Sequence, residues 1–133
     1  MTVEQAVVTK LGGDATLTTL APGGVWLDVA PQSATSPYVI VGLQAHIEEV
    51  GLGEARLFET AVLLVKAVGD GSGAAAALAA ADRIDALLHA GTLTVTSATL
   101  MSMTRSERVR FVEVDGDVRY QHAGGLYEVV VSR

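Results

Sequence analysis

The sequence predicts a single α+β domain over residues 1–133, with a mainly antiparallel sheet and helices packed on it. Apolar residues recur at helical spacing in two segments, and they alternate or run on continuously in several others. The strand-like segments come in consecutive blocks joined by turns, which is typical of antiparallel sheets rather than of alternating βαβ units. With 50% hydrophobic and 18% charged residues, a chain of this length can bury a core of its own.

The first third of the chain is predicted to contain helices, a short strand and a loop. Val3–Leu20 carries apolar residues at helical spacing, and the residues from Thr2 onward resemble a capping box. Two glycines interrupt this segment, and Asp14 after them can cap a second short helix. Val25–Val29 then predicts a short strand, and the polar residues of Pro31–Pro37 predict a loop.

Two long strands are predicted next, and they differ in pattern. Tyr38–Val50 alternates, with apolar residues at its odd positions, which predicts one buried face. These residues are Val39, Val41, Leu43, Ala45 and Ile47. Arg56–Val68 is apolar on both faces. A strand of that second kind lies centrally under helices, or it uses its second face to contact another subunit.

A helix is predicted from Ser72 to about Ala90, with Ser72 as its N-cap and Gly91 just beyond its end. Its expected buried stripe comprises Ala77, Ala81, Ile84 and Leu88. The charged residues expected to face outward are Asp82, Arg83 and Asp85. The alanine-rich composition allows this helix to lie close to a sheet.

The remainder of the chain predicts strands and one tight hairpin. The strand segments are Thr92–Met103, Arg108–Val114, Val118–His122 and Leu126–Val131. Asp115-Gly116 is a strong signal for a type I′ turn between the second and third of them. Ala123–Gly125 predicts a bulge or bend between the last two.

Composition and charge exclude several classes of function. The chain has no cysteine, which excludes disulfides, thiolate nucleophiles and Cys-ligated metal sites. Nine basic residues against 15 acidic ones give a net charge of −6, which disfavours tight binding of nucleic acid. The longest apolar runs, Ala61–Val65 and Ala74–Ala81, are far shorter than a membrane span, and the N-terminus lacks a signal-peptide pattern. We therefore expect no membrane association.

The glycine-rich loop 69–74, with the sequence GDGSGA, has two interpretations. It fits the G-x-G-x-x-A pattern between a strand and a helix, where a phosphate can bind at the helix N-terminus. It also suits an ordinary strand-to-helix turn, and the second strand that would end in an acidic residue is missing. The turn is the favoured interpretation, and a nucleotide or small-ligand site is the alternative.

Candidate catalytic and metal-binding groups do not converge in the sequence. Of the histidines His46, His89 and His122, only His46 shares a strand face with an acidic residue, Glu48. That pair supplies two potential ligands, and a zinc site needs three or four. The G-x-S-x-G motif of serine hydrolases is missing as well. We expect no catalytic residue, no cofactor and no metal site.

Candidate contact residues are easier to identify. Arg105, Arg108 and Arg110 form the one basic cluster. Three interpretations are open, and the net negative charge ranks them. A solvated face comes first, pairing with Glu48, Glu49 and Glu54 of another subunit second, and phosphate contact last. The candidate subunit-interface residues are Glu48, Glu49, Arg56, Phe58, Val62, Leu64, Arg108 and Arg110.

Several segments taken together resemble the small tail completion proteins of long-tailed bacteriophages, a family that includes tail terminators. These segments are Val25–Leu43, Arg56–Val68, Ala79–Gly91 and Gly116–Val131. The most specific matches lie at Ala30-Pro31-Gln32, at Pro37-Tyr38-Val39 and at Arg119–Tyr127. The resemblance extends over nearly the whole chain in order and spacing.

The resemblance implies a structural virion protein with an α+β subunit and no catalytic residues or cofactor. It implies a homo-oligomeric ring, usually a hexamer, that caps the tail tube and joins it to the head connector. DNA passes through the lumen of such a ring without specific binding, and the acidic charge of this chain suits that passage. The expected location is the head-proximal end of the virion tail, after assembly in the host cytoplasm.

Two alternatives to a terminator are left open by the sequence. Within the same connector, a head-closure or adaptor protein is also a small ring-forming subunit. From a different class, a small ligand- or nucleotide-binding α+β protein would use the loop 69–74. The resemblance assigns no role to Arg105, Arg108 or Arg110.

Overall fold

The computed structural model describes residues 2–54 and 56–132, without the side chains of Glu54 and Arg56. The helices are α1 (Val3–Gly12), α2 (Ala15–Leu20) and α3 (Ala74–Leu88). The strands are β1 (Val25–Leu27), β2 (Tyr38–Val50), β3 (Arg56–Asp70), β4 (Thr99–Asp115) and β5 (Val118–Ser132). None of the described helices is both long and apolar enough to cross a bilayer.

The described strands form one sheet in the order β1-β2-β3-β5-β4. Only β1 and β2 pair in parallel, and the other three pairs are antiparallel. The helices pack on one face, which we call the helix-side face, where odd-numbered residues of β3 and β5 are buried. This face supplies the sheet's share of the core: Val39, Val41, Ala61, Leu63, Val65, Ala67, Met103, Tyr127, Val129 and Val131. The α+β prediction is therefore confirmed.

The N-terminal segment forms two helices, as predicted. Thr2 and Gln5 form the capping box of α1, and Asp14 caps α2 by accepting the N–H of Leu17 at 2.9 Å. The Asp14 carboxylate also accepts two hydrogen bonds from Arg83 of α3, at 2.9 and 2.8 Å. Hydrogen bonds from Arg83 and from the Leu17 N–H lower the pKa of Asp14 to about 2. One carboxylate thus starts α2 and links it to α3.

Helix α3 begins later than the sequence suggests. Residues Gly71–Gly73 form a 3₁₀ turn, so Ser72 is not the N-cap, and the capping position falls on Gly73. The helix ends at Leu88, and Ala90 rather than a glycine adopts the positive φ after it. Its buried residues are Ala77, Ala80, Ile84 and Leu88. Ala80 therefore takes the place predicted for Ala81, which is half-buried.

Two of the three charged residues predicted to face outward from α3 are partly buried against partners on other elements. Arg83 forms the ion pair with Asp14, and Asp85 accepts a hydrogen bond from the Tyr127 hydroxyl at 3.0 Å. Asp82 is exposed, as predicted. The helical period alone could not show these pairs, because both partners lie on distant elements.

The C-terminal half contains two long strands instead of four short ones. Residues 92–98 form no strand, and β4 then runs continuously over Thr99–Asp115 with register shifts at Met101 and Ser106. β5 is also continuous through Ala123–Gly125, where a bulge was expected. At Gly124 the neighbouring strand is so close that a Cβ atom would overlap the carbonyl oxygen of Val65. The glycines therefore allow close strand packing and do not mark a bend.

The β4–β5 hairpin has the predicted two-residue loop but a different turn. Asp115 pairs with Val118, and only Gly116, the first loop residue, has a positive φ. That pattern matches type II′, since type I′ needs positive φ at both central residues.

A β-bulge at Gln44 changes which residues of β2 face the helices. Leu43 pairs with Leu63, but Ala45 pairs with Val62, so one extra residue is accommodated between them. Ala45 and Ile47 consequently lie on the face away from the helices, and the prediction that all odd positions share one face is wrong beyond Leu43. His46 lies on the helix-side face instead, opposite Ala61.

Candidate interaction surfaces

The face of the sheet that points away from the helices, here called the outer face, carries many apolar side chains. Phe58, Val62 and Leu64 of β3 lie there and are each half-buried, whereas Leu63 and Val65 between them are fully buried. Apolar neighbours on the same face come from all the longer strands: Ile40, Ala45, Ile47, Val109, Phe111, Leu126 and Val130. The prediction that β3 is apolar on both faces is confirmed.

At one end the outer face forms a cavity beneath residues 28–30. The cavity has a volume of about 390 Å³ and is lined by Ile40, Leu64, Lys66 and His122, among others. Burial lowers the pKa of the Lys66 ammonium group. The cavity combines apolar side chains with one basic residue, Lys66, and one acidic residue, Asp28.

Several polar groups of the outer face form a cluster around His122. His122 is 7% exposed and lies 2.9 Å from Glu113 through its Nε2 atom. Its ring stacks on Phe111 at a centroid distance of 4.3 Å, and the Lys66 Nζ lies 5.3 Å from the centroid of the same phenyl ring. The Nδ1 atom of His122 is buried without a hydrogen-bond partner among the described residues. Sequence reasoning missed this cluster, since its members come from three strands.

Arg105 supports the fold rather than presenting a free charge. It forms an ion pair with Asp85 at 3.5 Å, and Asp85 is also the acceptor for Tyr127. Burial and the neighbouring Asp85 carboxylate raise the pKa of Tyr127. The side chain of Arg105 crosses Gly125, where a Cβ atom would lie 2.7 Å from the Arg105 Cδ. Gly125 thus provides the space that this arginine occupies.

Arg108 and Arg110 are the accessible members of the basic cluster. Both lie on the helix-side face of the edge strand β4, as their pairing with Gly125 and Ala123 shows. Arg108 makes a long, exposed contact with Asp82 at 3.5 Å, and Arg110 has no ion-pair partner among the described residues. Together with the side of α3 they line a cleft of about 250 Å³. The helix-side face of this edge is therefore basic, whereas Glu107 and Glu113 of β4 lie on its outer face.

The predicted acidic pair lies at the opposite edge of the sheet, and the structure separates its members. Glu49 is opposite Phe58 on the outer face, whereas Glu48 is opposite Glu59 on the helix-side face. Glu59, which sequence reasoning missed, is only 5% exposed and lies 3.2 Å from the Nε2 atom of His46. The side chain of Arg56, also a predicted interface residue, lies outside the described part of the chain.

The structure places the predicted interface residues in two groups, and it leaves Glu48 apart from both, on the helix-side face of β2. Phe58, Val62 and Leu64 share the outer face with Glu49, while Arg108 and Arg110 sit on the far edge with β3 and β5 between them and β2. No single contact could therefore use both groups of one subunit at once.

The geometry of loop 69–74 favours the turn interpretation. The Asp70 N–H donates a hydrogen bond to the Ser36 hydroxyl at 2.9 Å. A Cβ atom at Gly73 would lie 2.6 Å from that same hydroxyl oxygen, so Ser36 fills the space in front of the helix start. A nucleotide phosphate would have to displace Ser36 from the position at which it satisfies the backbone.

Comparison with known proteins agrees with this architecture. A family model described as tail completion protein gp17 matches residues 5–131. A chain of a solved structure, the virion of a native gene transfer agent particle, is similar with a TM-score of 0.74 and 19% sequence identity. The alignment covers 98% of this chain and 95% of that one. A search of curated proteins finds no match. Because the family model spans nearly the whole chain, the protein belongs to the gp17 family of tail completion proteins, structural components of phage-type tails.

Proposed function

We propose that the protein is a tail terminator: a homo-oligomeric ring, a hexamer, that caps the finished tail tube and joins it to the head connector. It acts by contact at the head-proximal end of the tail and performs no catalysis. Its partners are other copies of itself, the tail tube protein and the head-closure protein. The family membership and the similarity to a chain of a gene transfer agent virion support this assignment.

The outer face is the observation that carries the proposal. The helix-side face already has a complete core, in which Leu63, Val65 and Ile84 have no exposed surface. The outer face nevertheless exposes part of Phe58, Val62 and Leu64. Contiguous apolar surface of this kind marks protein contacts in soluble domains. In the proposed ring this face is covered by a neighbouring subunit or by the tube.

The two edges of the sheet differ in charge, which suits a head-to-tail ring. A closed ring of identical subunits needs two different patches that meet. Along one edge, β4 presents Arg108 and Arg110. Along the other, β1 pairs only with Val39–Val41 of β2, so the part of β2 that carries Glu48 and Glu49 is exposed. An exposed edge strand is a template for pairing with another chain, and opposite charges would set the register.

The net charge of −6 favours a lumen through which DNA slides. Tight DNA binding needs clustered cations that neutralise phosphates. Here Arg105 is engaged by Asp85, and Arg108 lies beside Asp82. We infer that Arg108 and Arg110 contact neighbouring subunits rather than DNA.

The experiment that tests the proposal is analytical ultracentrifugation of the protein alone, followed by electron microscopy of mixtures with tail tubes and connectors. We expect a discrete ring on the end of each tube. Leu64→Asp should prevent ring formation, while Ala86→Asp, which adds the same charge at an exposed position of α3, should not. A wild-type protein that stays monomeric beside tubes and connectors would refute the terminator assignment.

A further inference from the structure

Three side chains with metal-binding atoms converge on the helix-side face where β2 and β3 pair. They are His46, Glu48 and Glu59, and one potential ligand atom from each lies within 4.8 Å of the others. The sequence showed only His46 and Glu48, two residues apart on one strand. The third group comes from the neighbouring strand, eleven positions further along the chain.

The bulge at Gln44 is what creates this convergence. It turns His46 and Glu48 toward the helix-side face, where His46 pairs with Ala61 and Glu48 pairs directly with Glu59. Without the extra residue, both side chains would lie on the opposite face from Glu59, because strand side chains alternate. The convergence of the three side chains therefore depends on this one bulge.

The separation of the two ligand atoms of His46 and Glu59 fits a small tetrahedral cation. Zinc binds imidazole nitrogen and carboxylate oxygen at about 2.0–2.2 Å, so two of its ligands lie about 3.3 Å apart. The Nε2 atom of His46 and the Oε2 atom of Glu59 are 3.2 Å apart. Glu48 is exposed, so its side chain can move toward a bound ion, and solvent water can reach the cluster.

The charges of the cluster also suit a cation. Glu48 and Glu59 are directly opposite each other on paired strands, so two carboxylates can reach one cation. Glu59 is 5% exposed, and its contact with His46 holds the carboxylate beside the imidazole. An imidazole ligand favours zinc, cobalt or nickel over magnesium or calcium.

We propose that His46, Glu48 and Glu59 bind one divalent transition-metal cation of the zinc class, with water completing the coordination. The bound ion joins β2 to β3 in the region that β1 does not reach. This replaces the expectation from the sequence that the chain has no metal site. All three ligands come from one chain, so metal binding can be measured on the free subunit whether or not the ring forms.

The test is isothermal titration calorimetry of the full chain with zinc chloride. We expect one zinc per chain, and a loss of affinity of at least about tenfold in each of His46→Gln, Glu48→Gln and Glu59→Gln, since even substitutions around a ligand cost that much. Glu49→Gln is the matched control: it removes the same charge next to Glu48 but on the outer face. It should bind zinc like the wild type.

A second measurement keeps the test valid if Glu59→Gln does not fold. Cobalt chloride added to the wild type should give the visible absorption of a tetrahedral site, and the exposed-site variant Glu48→Gln should abolish it. Zinc should also raise the melting temperature of the wild type and not of Glu48→Gln, because only the folded chain presents the site. The proposal is overturned if zinc does not bind, if His46→Gln binds it as tightly as the wild type, or if magnesium binds equally well.

Discussion

Leu63 and Leu64 are neighbours in β3, yet they belong to different surfaces of the molecule. Leu63 is fully buried between the sheet and the helices, whereas Leu64 is half-buried on the outer face. The two faces of the strand are similar in composition and differ in what covers them. Apolar sequence therefore identifies surfaces that will be buried, but it does not show whether the cover comes from the same chain.

The polar contacts of the two faces differ in the same way. On the helix-side face, Tyr127, Asp85 and Arg105 link the sheet to α3 and so stabilise the fold. On the outer face, His122 and Glu113 link only neighbouring strands. The outer face can therefore be changed without separating one layer of the domain from another.

The strongest test of this comparison is to place a charge on each face in turn. Leu63→Asp should prevent soluble folding, because an unpaired buried carboxylate costs several kcal/mol against a total stability of about 5–15 kcal/mol. Leu64→Asp should fold and fail to assemble, since its carboxylate can reach water in the free subunit. Circular dichroism and sedimentation distinguish these outcomes. If Leu64→Asp also unfolds, the outer face is part of the core and not a contact surface.

The second test concerns the spacing of the strand backbones, which lie between the two faces of the sheet. Gly124→Ala should destabilise the fold by about 1–3 kcal/mol, because its Cβ would overlap the Val65 carbonyl and the strands would have to move apart. Gly12→Ala in α1 is the control, since its Cβ meets nothing within 4 Å. The control should be neutral or slightly stabilising in a urea titration. Equal stability of the two variants would show that the strands tolerate separation.

The third test concerns the basic edge. Arg108→Glu combined with Arg110→Glu should leave folding intact and weaken ring formation by on the order of 1 kcal/mol per contact, the scale of exposed ion pairs. The defect should be larger at low salt, because salt screens the repulsion that the reversed charges introduce. Sedimentation at two ionic strengths measures this. Ring formation at the wild-type level in both would remove these arginines from the interface.

The smallest expected effect lies within the helix layer, at Asp14. Its folded-state pKa of about 2 is below its ordinary value of 3.8, so its charge stabilises the fold above pH 3.8 and that contribution is lost as the pH falls through 2. Asp14→Asn should therefore lower the melting temperature at pH 7, and the difference from the wild type should shrink toward pH 2. Ring formation at pH 7 should be unchanged. A pH-independent difference would show that the charge of Asp14 contributes nothing.

Much of the fold could be predicted from local pattern. The alternation and length of Tyr38–Val50 gave the limits of β2, and the capping residues Thr2 and Asp14 marked the starts of the first two helices. The segment 92–98 shows where local pattern fails. Its threonines and valines favour a strand, but the chain there turns so that Val95 is buried in the core.

The contact surfaces could be predicted only in part. The outer-face position of Phe58, Val62 and Leu64 follows from strand alternation, and Arg108 and Arg110 share a face for the same reason. Glu59 could not be connected to His46, because that contact depends on strand register, which the sequence of either strand does not specify by itself. Register shifts at Gln44, Met101 and Ser106 have no local signal comparable to a capping residue.

Because of the bulge at Gln44, the face on which each side chain at the end of β2 lies depends on the number of residues in the strand. Deleting one residue there would exchange the two sides of the strand from Ala45 onward, so that Ile47 would face inward and His46 outward. The amino-acid content would be unchanged apart from that residue, but both surfaces would be altered at once. A single insertion or deletion would thus change the face of every residue that follows it in the strand. We therefore expect relatives of this protein to vary there by substitution rather than by length.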